Sequence, residues 1–280
     1  MHTDAHRIRL ILSDIDGTML PYGTSRVSDR TIRAIHAAQR AGMHVGPASG
    51  RGYSHIPASF GGDASCSATC LATNGMQVFL DGELIHQAYL PREPLVRMAQ
   101  ILHEVPHAGL ICFENGVPLL VEGDVADLKQ SFPLYAEESR QVASVPPHDI
   151  EKANVFIAGD MAYTRWVLEL LEPQVPDVGL NLPMVGFLNV TPVGWSKANG
   201  IDVLCDVLDI GLDQVVVFGD GGNDVEMLAH VPHSVAVEGA DSAAAHAARW
   251  HIGRCEDDAV AASIESLTAG EWPFGLADWG

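Results

Sequence analysis

RIRLILSDID, residues 7–16, is a short apolar run rich in branched side chains that stops at two carboxylates, with Gly17 next. A run of this length and make-up reads as a buried strand that delivers Asp14 and Asp16 to its C-terminal edge. In an extended chain residues two apart face the same side, so both carboxylates address one space, and Gly17 lets the backbone close on it. An Asp-x-Asp at a strand end also reads as a plain turn in which aspartate bonds its own backbone.

Outward from that strand, Ser28 is placed to cap a helix over 29–41, with Ile32, Ile35 and Ala38 or Gln39 at helical spacing and Gly42 as the stop. A second strand, 43–48, ends at Ser49-Gly50-Arg51. Strand, helix, strand is the parallel crossover unit. The grammar returns near the C-terminus. Ser196 precedes a helix carrying Ile201, Leu204, Cys205 and Leu208 on one face, and Val215-Val216-Val217-Phe218 follows as a fully apolar strand. Such strands are covered on both faces. A further helix and a short strand, 234–237, come next, and the small-residue segment 240–248 reads as another helix. The expected fold is α/β, a doubly wound, Rossmann-like parallel sheet built from 1–82 and 189–280. Between them, 83–188 is punctuated by proline and glycine and reads as an inserted α+β cap, with strands at 109–113, 117–121 and 153–158 and helices at 92–104, 124–130 and 162–172.

A formal net charge of −20 over 280 residues repels nucleic-acid backbones and anionic lipid surfaces, so neither is an expected partner. An anionic substrate would have to be drawn in locally, by metal, lysine, arginine or backbone amides. The N-terminal run is interrupted by Asp14 and Asp16, unlike a secretory signal, and no apolar stretch approaches the ~18 residues of a membrane span. Five cysteines, an odd number without CxxC spacing, read as reduced thiols of a cytoplasmic protein, with Cys66 and Cys70 as packing residues instead of metal ligands.

Three further elements carry chemistry. Ser49-Gly50-Arg51 is either a simple turn or a hydroxyl and backbone amide aimed at the same sheet edge as Asp14. Lys197, one of three lysines with Lys129 and Lys152, falls in the first turn of its helix, where a cation is disfavoured unless an anion meets it. Asp220 and Asp224, spaced by Gly221-Gly222-Asn223 after a buried strand, resemble a hard-cation site of oxygen ligands suited to magnesium.

In order and spacing these elements resemble the haloacid dehalogenase superfamily, in its Cof-like, sugar-phosphatase-type branch. The matching residues are Asp14-Ile15-Asp16-Gly17-Thr18, Ser49-Gly50-Arg51, Lys197, and Gly219-Asp220-Gly221-Gly222-Asn223-Asp224 followed by Met227-Leu228. Asn74-Gly75 adds a branch signature. The resemblance implies a magnesium-dependent phosphatase acting on a small phosphomonoester such as a sugar phosphate. Asp14 would be the nucleophile that becomes an aspartyl phosphate, and Asp16 the proton shuttle. Asp14, the Asp16 carbonyl and Asp220 would hold Mg²⁺, supported by Asn223 and Asp224. Ser49, Gly50, Arg51, Asn74, Lys197 and Asn223 would line the phosphate site. Where relatives commonly read Gly-Asn, this chain has Glu238-Gly239, which clouds the usual substrate assumptions. A phosphomutase with the same core, and a non-catalytic metabolite-binding module, are the competing readings.

Overall fold

The computed structural model describes residues 7–275. Strand β1 (Leu10–Ser13) is wholly buried and pairs in parallel with β2 (His44–Pro47) on one side and β12 (Val215–Gly219) on the other. Strands β13 (His233–Val237) and β14 (Trp250–Ile252) complete a five-stranded parallel sheet in the order β14-β13-β12-β1-β2. Side chains alternate between two cores. Ile11, Val216 and Phe218 pack with α1 (Asp29–Arg40) and α9 (Ala259–Thr268) on one face. Leu10, Leu12, Val215 and Val217 pack with α6 (Lys197–Leu208), α7 (Val225–His230) and α8 (Ser242–Ala247) on the other. Two-sided burial is why these strands have no polar alternation, and each buried aliphatic side chain contributes about 1.5–3 kcal/mol. Helix α1 starts where expected, with the Ser28 side chain accepting from the Thr31 amide.

The sequence reading missed a small sheet, β3 (Cys70–Ala72), β4 (Gln77–Leu80) and β5 (Glu83–Gln87), tied to the end of β2 by an Ala48–Leu71 bridge. Its strands are too short to show a period.

The chain divides into two compact units, one running to His86 and resuming at Ser196, the other Gln87–Trp195. The expected limits were 83 and 188; the observed transitions fall at the last residue of β5 and just past Phe187–Pro192, the strand β11. The inserted unit is a six-stranded sheet in the order β10-β11-β9-β6-β7-β8. Its strands are β6 (Ala108–Glu114), β7 (Val117–Glu122), β8 (Arg140–Gln141), β9 (Lys152–Ile157), β10 (Val178–Met184) and β11 (Phe187–Pro192). Its helices are α2 (Arg92–Leu102), α3 (Val125–Ser131), α4 (Pro133–Glu138) and α5 (Met161–Leu171). The β10–β11 hairpin also went unread. Pro183 sits at a register shift between Asn181 and Met184, and polar Asn181, Asn189 and Thr191 occupy positions where a core strand is apolar.

Candidate active site

Asp14 lies one residue past β1, its amide still donating to the Phe218 carbonyl (2.9 Å). Lys197, the first residue of α6, is fully buried and donates from Nζ to Asp14 Oδ1 and Asp224 Oδ1, each at 2.6 Å. The cation that looked misplaced at a helix start is thus held between two carboxylates. Asp224 Oδ2 accepts from the amides of Asp220 and Gly221, both at 3.0 Å, so both its oxygens are committed and it anchors the loop after β12. Asp220 in turn accepts from Thr18 Oγ1 (2.6 Å) and the Tyr22 hydroxyl (3.2 Å). Thr18 stood in the quoted motif without a role, and nothing in the sequence singled out Tyr22.

Gly17 has φ of +88°, and a Cβ there would lie 2.3 Å from Asp220 Oδ2. Only glycine lets the chain turn this close to the second carboxylate.

Ligand oxygens of Asp14, Asp220 and Asp224 all lie within 4.8 Å of one another. Burial, with repulsion from Asp224, Asp220 and Asp16 adding to it, pushes the Asp14 carboxyl well above its usual range against the pull of Lys197. Burial likewise pushes Asp220 up to about 6, opposed by the Thr18 hydrogen bond and reinforced by Asp224. Burial alone would lower Lys197, but Asp14 and Asp224 outweigh it and hold the ammonium above its ordinary value. One cation therefore faces three carboxylates. The surplus negative charge and all-oxygen donor set fit a hard divalent ion such as Mg²⁺.

Asp16 was expected to shuttle protons and to offer a metal its backbone carbonyl. Its carboxylate is not part of this cluster but is gripped by Arg51, from Nε to Oδ2 (2.9 Å) and from Nη2 to Oδ1 (2.5 Å), while Arg51 Nη1 donates to Ser59 Oγ (2.8 Å). A planar guanidinium matches a carboxylate in this two-pronged way. Ser49 is buried at the end of β2, and its own amide donates to the Leu71 carbonyl (2.8 Å), which continues the bridge into β3. Its hydroxyl oxygen accepts from the Arg51 amide (3.2 Å), leaving the hydroxyl proton as what Ser49 can offer. Gly50 lies in the bend between them.

Thr73, Asn74 and Gly75 have φ of +50°, +55° and +81°. Left-handed backbone at a β-branched threonine is strained, and the turn it belongs to sets Asn74 Oδ1 to accept from Asn223 Nδ2 (3.0 Å) while the Asn74 amide donates to the Ser49 carbonyl (2.9 Å). Three chain segments are thereby cross-linked around one edge. Glu238 pairs with Arg254 Nε (2.9 Å), which offsets its charge, and Gly239 takes φ of +94°.

His36, Asp63 and Cys66 also bring ligand atoms together. Burial pushes the Cys66 thiol up to about 12, and the group is accounted for by hydrogen bonds, Asp63 capping the turn at Ala64–Ser67 and approaching His36 Nε2 (3.0 Å). All five cysteines are buried and free. No helix among the described residues is long and apolar enough to cross a membrane.

A parallel sheet with an inserted unit and an acidic edge built from the ends of β1 and β12 defines a doubly wound α/β core, and the chain belongs to the haloacid dehalogenase-like hydrolase family, whose model matches residues 11–264. It is 27% identical over 280 residues to 5-amino-6-(5-phospho-D-ribitylamino)uracil phosphatase YbjI of Escherichia coli (strain K12), covering 95% of this chain and 98% of that one. It is 26% identical over 226 residues to the HMP-PP phosphatase of Escherichia coli (strain 55989 / EAEC), covering 80% and 81%. Its fold matches that of the subclass IIB sugar phosphatase BT4131, with a TM-score of 0.80 at 23% identity over 92% of this chain and 98% of the other.

Proposed function

We propose that this haloacid dehalogenase-type phosphatase removes phosphate from a small phosphorylated metabolite in a Mg²⁺-dependent reaction through a phosphorylated Asp14. The observation that carries this reading is the buried Asp14 carboxylate, tethered at one oxygen by Lys197 and set against Asp220. Asp14, the backbone carbonyl of Asp16 and Asp220 would hold the metal, with Asn223 and Asp224 in support. Bound there, Mg²⁺ would offset the charge of carboxylates and phosphoryl group as they approach one another.

Asp14 attacks phosphorus as the bond to the leaving oxygen breaks, and Asp16 gives that oxygen a proton. Water then attacks the phosphorylated Asp14 and gives its proton to Asp16, which releases inorganic phosphate and restores both carboxyl groups. Lys197 holds Asp14 in position and, with the Ser49 hydroxyl, stabilises the phosphoryl oxygens. For Asp16 to shuttle protons Arg51 must let go of it, and an arriving phosphoryl group supplies the competing oxygens that draw the guanidinium away. Recognition of the organic part falls to the inserted unit, because the core residues named here serve phosphate and metal.

The test is phosphate release from a panel of phosphorylated metabolites with Mg²⁺ and after chelation. Release that stops with EDTA and returns with Mg²⁺ is expected. Undiminished release in EDTA contradicts metal dependence, and isomerised sugar phosphate in place of free phosphate contradicts hydrolysis.

A further inference from the structure

The hydrogen bonds that account for the His36, Asp63 and Cys66 group also set its atoms at ligand spacing. His36 on α1 meets the turn at Ala64–Ser67, and Gln39, one helical turn further along, fastens the two together by donating from Nε2 to the Ser65 carbonyl (2.8 Å). Three groups then converge on one ring nitrogen. His36 Nε2 has Asp63 Oδ2 at 3.0 Å, Ser65 Oγ at 3.1 Å and Cys66 Sγ at 3.6 Å. A ring nitrogen carries one proton or one lone pair, so it serves one of these partners fully and not all three.

The spacing fits a tetrahedral ion. Zinc bonds of about 2.3 Å to sulfur and about 2.0–2.1 Å to nitrogen and oxygen set nitrogen about 3.6 Å from sulfur and about 3.3 Å from oxygen. The corresponding separations here are 3.6 Å and 3.0 Å, and the three ligand atoms all lie within 4.8 Å of one another. The carboxylate is oriented for the purpose. Asp63 Oδ1 accepts from the Ser65 hydroxyl (2.6 Å) and amide (3.1 Å), which holds the carboxyl below its ordinary value and leaves Oδ2 toward the ring. Outer contacts of this kind position metal ligands. The His36 and Asp63 side chains are 31% and 35% exposed while Cys66 is buried, so the site has an opening to solvent for the ion and for a water on it.

Donor chemistry selects the ion. Nitrogen, sulfur and one carboxylate oxygen suit a borderline cation such as Zn²⁺, unlike the all-oxygen set at Asp14, Asp220 and Asp224. Burial pushes the Cys66 thiol up to about 12, so an ion must bond strongly to sulfur to displace its proton, which Mg²⁺ does not. With that proton released, thiolate and carboxylate together neutralise one divalent charge.

We propose that His36, Asp63 and Cys66 bind one zinc-class divalent ion, with water as the fourth ligand, and that the ion clamps α1 to the turn leading into β3. The site lies within the core unit and does not depend on the phosphatase reading.

The experiment titrates the EDTA-treated, reduced full chain with Co²⁺, a spectroscopic stand-in for zinc, in saturating Mg²⁺, and then with Zn²⁺. Wild type should bind one Co²⁺ with the intense visible bands of a tetrahedral ion and an ultraviolet sulfur-to-cobalt band, and one equivalent of Zn²⁺ should bleach both. His36→Gln, a change at a partly exposed position, should weaken zinc binding at least ~100-fold, more than the loss of an outer contact costs. Cys66→Ala should erase the sulfur band. Zinc should raise the melting temperature of wild type and leave that of His36→Gln where it was. A six-coordinate cobalt spectrum without the sulfur band, or affinity that survives both variants, would mark an adventitious ion only and overturn the site. Binding lost in Asp220→Asn but kept in His36→Gln would assign the ion to the acidic edge and overturn it equally.

Discussion

Two of the three lysines in this chain are buried, and their surroundings are opposite. Lys197 sits in the core unit between Asp14 and Asp224, with Asp220 close by, so its charge is over-compensated. Lys152 sits in the inserted unit against a phenol and two aromatic faces, with its charge uncompensated. The first arrangement lacks positive charge and suits a divalent cation and a phosphoryl group, whatever else the substrate carries. The second lacks negative charge.

The same substitution at each lysine should therefore have opposite consequences for stability. Lys197→Met strips the cation from a pocket of buried carboxylates and should cost about 3–5 kcal/mol, as breaking a buried pair does. Phosphate release should fall at least ~10²-fold, the scale for losing one group that stabilises developing charge. Denaturant melts and initial rates check both, and saturating Mg²⁺ should restore part of the stability. A Lys197→Met enzyme as stable and active as wild type would erase the contrast with Lys152→Met.

A smaller effect comes from pH. Asp220 titrates near 6 in the folded chain against an ordinary 3.8, so the native state binds its proton more tightly than the unfolded state. That contribution to stability is fully present below the ordinary carboxylate range and is lost as pH rises through about 6. The metal-free protein should lose up to about 3 kcal/mol across this window on account of Asp220. Asp220→Asn cannot ionise, so the difference in melting temperature between variant and wild type should grow in the variant's favour from pH 4 to 7. A constant difference would mean that the Asp220 charge is not strained.

Much of the core was legible because its signals are local. The apolar runs at 7–16 and 215–218 end in carboxylates, and two-sided burial leaves them no alternation to confuse with a helix. Lys197 was legible as a cation in the wrong place, though the sequence gives no sign that Asp224 would be its second partner. The grip of Arg51 on Asp16 and the hydrogen bond from Tyr22 to Asp220 depend on loop geometry that no period encodes. The β10–β11 hairpin was missed for a related reason. Asn181, Asn189 and Thr191 interrupt the apolar pattern that marks a strand.

The chemistry proposed for the acidic edge stands only if Asp14 carries the phosphoryl group. Asp16→Asn keeps the shape of the shuttle but cannot take a proton from water, so turnover should fall by about 10²–10⁴ while the acylphosphate accumulates. Mass spectrometry of this variant, quenched in acid during reaction with phenyl phosphate and Mg²⁺, should find one phosphoryl group on the peptide containing Asp14 and none in the Asp14→Asn, Asp16→Asn double variant. An unmodified Asp14 peptide in a variant still releasing phosphate would contradict the account.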